Sequence, residues 1–258
     1  MARSSADSPS LKEQRQYHIG LKSDEVADLI LLCGDPDRVH KVAKHFDRIH
    51  HQVQNREFVT STGIYQGRAV SVIGTGIGAD NTEIAVVELA QLVKNPTFIR
   101  IGSTGSLQPQ IGIGGLILST AAMRLENTTD YYVRKEYPAV AHFEVLTALS
   151  QACKHLGEPY HAGITATAPS FYGAQGREIP GFFPRFPNFW QELAQIGVLN
   201  LEMEASALLT LASLRGFRAG VICAVYANRP NNEFISDVEK KAAEDRAIRV
   251  ALESLAYL

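Results

Sequence analysis

Arg100-Ile-Gly-Ser-Thr-Gly105 sets a guanidinium and a run of glycines and hydroxyl residues directly after the apolar pair Phe98-Ile99. A guanidinium fork matches an oxyanion, and glycines let backbone N–H groups come close to it. The stretch therefore reads as a strand that closes in a bend able to cradle an anion. Gly34-Asp-Pro-Asp-Arg38 follows the apolar run Leu29 to Cys33 in the same way, and Gly74-Thr-Gly-Ile-Gly78 follows Ala69 to Ile73. Three such turns at neighbouring strand ends predict one site. A lone arginine beyond a strand is most often a surface or salt-bridged residue, but Arg38 and Arg100 beside glycine-rich turns reverse that expectation. Arg56, in Asn55-Arg-Glu-Phe58, has no such support and reads as a solvated charge.

Several motifs admit plainer explanations. Gly74-Thr-Gly-Ile-Gly-Ala79 satisfies the dinucleotide pattern GxGxxA, but it is not in the first strand–helix unit, and the next strand carries Arg100 where an acidic ribose ligand belongs. Asn200-Leu-Glu-Met-Glu204 precedes a helical run, so Asn200 is expected to cap the helix, with Glu202 and Glu204 in its first turn. The functional alternative is a carboxylate at a strand–helix junction accepting hydrogen bonds from sugar hydroxyls. His18, in Tyr17-His-Ile-Gly-Leu21, reads on pattern alone as a surface histidine. No spacing resembles a metal site and there is no GxSxG elbow, which argues against metal hydrolysis and serine acyl transfer.

The elements that must position these residues follow from periodicity. Strand-length apolar runs span Leu29 to Cys33, Ala69 to Ile73, Phe98 to Ile101, Gly115 to Ser119, Gly163 to Ala168 and Gly220 to Ala227. Helical patterns cover Arg38 to Phe46, Thr82 to Val93, His142 to Leu156, Ala205 to Arg215 and Val238 to Leu258. Apolar strands alternating with amphipathic helices predict a mostly parallel sheet covered on both faces. Thr60 to Gly67 reads as a hairpin feeding the second run. Phe171 to Trp190, rich in Gly, Pro and aromatics without periodicity, reads as a lid or an interface patch.

With 258 residues, 45% of them apolar, the chain suits one large α/β domain. A formal charge of −2 without a long basic run argues against nucleic acid as a partner. Met1 to Gln16 is polar and reads as a flexible tail (1–16), which leaves 17–258 as the domain. No apolar stretch reaches membrane-spanning length. Cys33, Cys153 and Cys223 lie far apart in apolar surroundings, which fits reduced thiols and a cytoplasmic location.

Taken together, Tyr17-His-Ile-Gly-Leu21, Gly34-Asp-Pro-Asp-Arg38, Asn55-Arg-Glu-Phe58, Thr75-Gly-Ile-Gly78, Arg100 to Gly105, Phe171 through Gln175-Gly-Arg177, Glu202-Met-Glu204 and Asn228-Arg229 resemble the nucleoside phosphorylase-I family. Within it they are most similar to the bacterial-type uridine-cleaving branch, in order and spacing from about Tyr17 to the C-terminus. The resemblance implies a single α/β domain with a mixed, mostly parallel and distorted barrel-like sheet flanked by helices. It places phosphate at Gly34, Arg38, Arg100 and Ser103, with Arg56 reaching in from a neighbouring subunit. His18 would come from that neighbour to the ribose 5′-hydroxyl, beside Met203 and Glu204, and Glu204 would hold the 2′- and 3′-hydroxyls. Gln175 and Arg177 would bond the uracil edge, supported by Glu202, Arg229 and Gly105, with Phe171 stacking nearby. Arg100, Glu204, Gln175 and Arg177 are the implied catalytic group.

The implied reaction is reversible phosphorolysis of uridine to uracil and ribose 1-phosphate in pyrimidine salvage, with phosphate as co-substrate and no cofactor. The implied assembly is a homodimer sharing its active sites, or a hexamer built as a trimer of dimers. Relatives that bind potassium at the subunit interface use positions matching Glu57, Ile77 and Asn81, where Asn81 replaces the usual Ser. Ser103 stands where Thr is common. Tyr226 replaces a small aliphatic residue and is expected to narrow the pocket beside the base. Purine-cleaving relatives, the main alternative, place an Asp where this chain has Asn228. A hydrolytic nucleosidase would not need the full arginine set, and a non-catalytic binding protein would be expected to lose Arg100, Glu204 or Gln175.

Overall fold

A computed structural model describes residues 5–7 and 9–258. In chain order the strands are β1 (Leu29–Cys33), β2 (Arg48–Asn55), β3 (Phe58–Tyr65), β4 (Arg68–Gly74), β5 (Thr97–Ser106), β6 (Leu116–Arg124), β7 (Ala139–Val140), β8 (Tyr160–Thr167), β9 (Asn200–Glu202), β10 (Arg218–Asn228) and β11 (Glu233–Phe234). The helices are α1 (Pro36–Ala43), α2 (Ala79–Leu92), α3 (Phe143–His155), α4 (Phe189–Gln195), α5 (Ala205–Leu214) and α6 (Asp237–Ser254).

Among the described residues all strands join one mixed sheet in the order β11-β10-β6-β8-β9-β5-β1-β4-β3-β2, with β7 on β6. An additional β10–β5 pairing closes β10, β6, β8, β9 and β5 into a distorted barrel. Strands β4, β1 and β5 are parallel neighbours, so the turns that follow Cys33 and Gly74 open on the same end of the sheet as the second half of β5. Apolar side chains of α1, α3 and α6 cover one face and those of α2 and α5 cover the other. This two-sided burial explains the unbroken Val/Ile/Leu runs of the central strands.

The expected hairpin is β3–β4, turned by Gln66 (φ 47°) and Gly67 (φ 76°). Two left-handed residues make the turn whose twist matches that of the strands. Strand β2 has no sequence signal, because its outer position leaves its residues exposed or half-buried. The lid-like segment carries α4 at its end, where Leu193 packs into a small core with Ala166, Val198 and Leu201.

Two local expectations are corrected. Residues Gly102 to Ser106 are not a bend: they continue β5, paired residue by residue with β10. Their backbone groups serve the ladder, which leaves side chains and the neighbouring turns as the groups that could meet an anion there. Asn200 is not a helix cap either. It begins β9, fully buried, its amide donating to Thr104 Oγ1 at 2.7 Å and its carbonyl oxygen accepting from Thr165 Oγ1 at 2.9 Å. Glu202 lies on the strand, and its Oε2 accepts the Glu204 and Ala205 N–H groups, both at 2.8 Å, where α5 starts. Near the N-terminus, Arg15 pairs with Glu25 through two contacts of 2.6 Å.

Candidate active site

A cavity of about 720 Å³ opens over the ends of β1, β4, β5 and β10. Its walls bring together Gly34, Arg38, Arg100, Ser103, Gly105, Phe171, Gln175, Arg177, Glu202, Met203 and Glu204, residues drawn from segments up to 170 positions apart, from 34 to 204. Glu57, Ile77 and Asn81 meet at its rim.

At one end, Asp35 caps α1 by accepting the Asp37 N–H at 3.0 Å, and Pro36 occupies the first turn. This fixes Arg38 one turn into the helix, buried, with Nε donating to Glu244 Oε1 at 2.7 Å and Nη1 to the Ile101 carbonyl at 2.9 Å. Arg100 projects from mid-strand, between Leu32 of β1 and Val221 of β10. Its Nε donates to Glu202 Oε2 at 3.3 Å, and its Nη2 donates to Glu204 Oε2. Burial works against the Arg100 charge, but Glu204 and Glu202 outweigh it and hold the pKa above the ordinary arginine value. The Ser103 hydroxyl bonds to no described residue and faces the cavity.

In the middle, Glu204 Oε1 accepts the Gly78 N–H at 2.7 Å. Gly78 has φ 107°, a conformation that side chains rarely adopt, and it presents this N–H at the start of α2. The glycine turn that resembled a dinucleotide motif thus orients a carboxylate of the same chain. Glu202 is saturated by protein: Thr167 donates to its Oε1 at 2.6 Å, opposite the two backbone donors and Arg100. Burial first, then Glu204, raises its pKa, against the pull of Arg100.

The other end has the opposite electrostatics. Arg177 Nη1 donates to Gln175 Oε1 and to the Phe171 carbonyl, both at 2.6 Å, and the guanidinium lies 3.7 Å from the Phe171 ring centroid. Arg229 Nη2 donates to the Gly176 carbonyl at 3.2 Å, which sets it next to this group. Neither arginine has a carboxylate partner among the described residues. Burial, and then the neighbouring Arg229 charge, lower the pKa of Arg177 to about 10. Two crowded cations without a counter-ion form a place prepared for negative charge. Gln175 is buried; its Oε1 is engaged by Arg177, so its amide N–H₂ is the group left to the cavity.

The family model described as the phosphorylase superfamily matches residues 28–256, nearly the whole described domain. The chain belongs to the phosphorylase superfamily. Among superfamily members, it is 51% identical to a uridine phosphorylase of Thermococcus kodakarensis over 93% of this chain and 87% of the relative. It is 39% identical to a uridine phosphorylase of Escherichia coli over 92% of this chain and 96% of the relative. A guanosine phosphorylase of Halorubrum lacusprofundi is 31% identical over 95% and 99% of the two chains.

In this phosphorylase-superfamily site three candidate residues lie outside the cavity wall: Arg229, which stands behind it on the Gly176 carbonyl, Arg56 and His18. Arg56 is exposed in the β2–β3 turn at φ 54°, stacked 4.8 Å from the Tyr17 ring centroid. His18 sits beside it, with Nδ1 2.7 Å from Glu88 Oε1, while Glu88 also accepts the His18 and Ile19 N–H groups. Asn228 is fully buried: its amide donates to the carbonyls of Gln108, Pro109 and Ile111 at 3.0–3.4 Å, and its oxygen accepts the Asn231 N–H at 2.9 Å. It is committed to holding a turn.

Sequence reasoning missed Lys240 and Phe234 in the wall, and Glu244 behind Arg38. The only local signal was the spacing of Lys240 and Glu244, which places both on one face of α6. Tyr226 lies in the wall because β10 bulges there: the β5 pairing jumps from Val225–Thr104 to Ala227–Gly105 and leaves Tyr226 as the extra residue. Lys240 Nζ is 5.8 Å from its ring centroid; burial raises the pKa of its hydroxyl, and the charges acting on it are Arg38, Glu244 and Asp35. Tyr226 therefore borders the Arg38 end of the cavity.

Proposed function

We propose that the chain catalyses reversible phosphorolysis of uridine, giving uracil and ribose 1-phosphate. The carrying observation is the polarity of one cavity: a carboxylate-balanced arginine end at Arg38, Arg100 and Ser103, and at the other end Gln175 and an uncompensated Arg177 in the wall, with Arg229 close behind. The likeness to uridine phosphorylases over nearly the full chain supports the same reaction.

In this mechanism Arg38, Arg100 and Ser103 hold orthophosphate below the anomeric carbon, with the Gly34 turn alongside. Fixing nucleophile and sugar together removes most of the entropic cost of their encounter. Met203 and Glu204 hold the ribose; Glu204, fixed by Gly78 and Arg100, accepts from the sugar hydroxyls. As the glycosidic bond breaks, positive charge on the sugar faces the phosphate dianion. Negative charge spreads onto uracil, where the Gln175 amide and the Arg177 and Arg229 guanidiniums meet its carbonyl oxygens. Phe171 flanks the base, Gly105 keeps the floor low, and Glu202 anchors Arg100 and the start of α5. The balanced reaction needs phosphate as co-substrate and no cofactor.

Arg56 and His18 lie together on the outer surface, which supports their donation to the site of a second copy. The assembly we propose is a homodimer sharing its active sites, extended in a hexamer to three such dimers. Glu57, Ile77 and Asn81 meet at the cavity rim, and a carboxylate, a backbone carbonyl and an amide oxygen are the groups they would offer a hard cation. A potassium ion there would tie subunits together and take no part in bond breaking. No helix among the described residues is long and apolar enough to cross a membrane, and the three cysteines are free, which supports a cytoplasmic location.

A panel of uridine, inosine and methylthioadenosine with and without phosphate tests this function. Phosphate-dependent cleavage of uridine in preference to the purines is expected. Equal uridine cleavage in phosphate-free buffer would overturn phosphorolysis, and preferred inosine cleavage would overturn the base assignment.

A further inference from the structure

Two of the three nitrogens of Arg38 are fixed by protein. Nε donates to Glu244 Oε1 at 2.7 Å and Nη1 to the Ile101 carbonyl at 2.9 Å, with Arg38 only 4% and Glu244 only 3% exposed. Nη2 makes no hydrogen bond to a described residue; Arg38 lines the cavity beside the buried Tyr226 hydroxyl, which itself has no partner. The guanidinium plane is therefore set from behind, and the remaining nitrogen is left for a ligand.

Glu244 comes from α6, 206 positions away in sequence. Four residues earlier on the same face, Lys240 lines the same cavity. Glu244 Oε2 also accepts from Lys41 Nζ at 2.5 Å, so one buried carboxylate is shared between a helix-borne lysine at the surface and the arginine inside. Burial raises its pKa, but the hydrogen bonds from Lys41 and Arg38 outweigh that and hold the carboxyl below the usual range, ionised at neutral pH.

We propose that Glu244 is a positioning residue for phosphate, acting through Arg38 and touching no substrate. This rests on the phosphorolysis described above and extends it to the C-terminal helix. Two effects oppose each other. The Glu244 charge weakens the attraction between Arg38 and a dianion, but Lys41 offsets that charge. The directed Nε contact keeps the fork in the orientation that a tetrahedral anion needs. Orientation is the larger effect, because a misdirected arginine loses its hydrogen bond to phosphate outright, whereas a compensated carboxylate changes the field little.

Substitution separates the two. Glu244→Ala removes charge and acceptor, and should raise the KM for phosphate about tenfold, the loss expected for one charge-assisted hydrogen bond. The uridine kcat/KM at saturating phosphate should stay within about twofold, since the base end is untouched. Glu244→Gln keeps an oxygen acceptor and should restore the phosphate KM to within about threefold of the native enzyme. If the alanine variant does not fold, Glu244→Asp serves instead: withdrawing the acceptor by one methylene should raise the phosphate KM severalfold. An unchanged phosphate KM in the alanine or aspartate variant overturns the proposal. So do parallel losses for uridine and phosphate, and so does a glutamine variant as impaired as the alanine one. A native enzyme without phosphate-dependent cleavage would instead sink the proposed reaction itself.

Discussion

Removing the Arg177 guanidinium should cost the reaction about 2.7–4 kcal/mol of transition-state stabilisation, a hundred- to thousand-fold loss, as for deleting one preorganised donor to a developing oxyanion. The structure supports the upper part of that range. Arg177 is half-buried, has no carboxylate to share its charge, and also fixes Gln175 by donating to its Oε1 at 2.6 Å. Arg177→Ala therefore takes away a donor and leaves a second one free to turn. Stability should change little, since the lost hydrogen bonds to Phe171 and Gln175 are offset by relief of the repulsion from Arg229. A melting temperature within about 3 °C of the native value is expected, given that 1 kcal/mol moves a chain of this size by a few degrees. The assay is the steady-state kcat/KM for uridine at saturating phosphate, with the phosphate KM measured in parallel. The first should fall and the second hold. A uridine kcat/KM within threefold of native, or a loss seen only in the phosphate KM, would refute the assignment of Arg177 to the leaving base.

Asn228→Asp, which imitates the purine-cleaving pattern, should destabilise by about 3 kcal/mol or more by turning a carboxylate against three carbonyl oxygens, without conferring inosine cleavage; a stable variant that gains inosine turnover contradicts the structural role of Asn228. Burial pushes the Cys33 and Cys223 thiols up to about 12 and Cys153 to about 11, so none should react with iodoacetamide at pH 8 in the native protein, and all three should react in denaturant. Mass spectrometry showing native-state labelling of Cys33 would show that its strand opens. The Arg15 hydrogen bond holds the Glu25 carboxyl below its usual range, so the folded state binds fewer protons than the unfolded one. The stability from this pair is present above about pH 5 and lost as pH falls through the lowered folded value. Urea titrations from pH 7 to pH 3 should show a shallower acid decline for Glu25→Gln, and parallel curves would remove Glu25 from the acid response.

Much of the fold was legible in the chain because its causes are local. The buried central strands β1, β4 and β10 announced themselves as apolar runs, the hairpin as the stretch from Thr60 to Gly67, and the longer helices as amphipathic stretches. The candidate site was legible by motif, and the cavity gathers most of its residues. The exceptions have physical reasons. Strand β2 is held by one neighbour and exposes most of its side chains, so it carries no apolar periodicity. Asn200 was misplaced because asparagine favours helix caps locally, whereas here its amide is claimed by Thr104 and Thr165 across the barrel.

The sequence by itself determined the buried central strands, the hairpin that feeds one of them, and which residue types could meet an anion, a sugar and a base. Only the tertiary structure decided that Arg100 stands in mid-strand between two carboxylates, that the two ends of the cavity carry opposite charge balance, and that α6 returns to brace Arg38. Those arrangements depend on the closure of β10 on β5 and on contacts more than a hundred positions apart, such as the 206 that separate Arg38 from Glu244. Local propensity cannot encode them, because the energy that fixes such a pair exists only once the chain between them has folded.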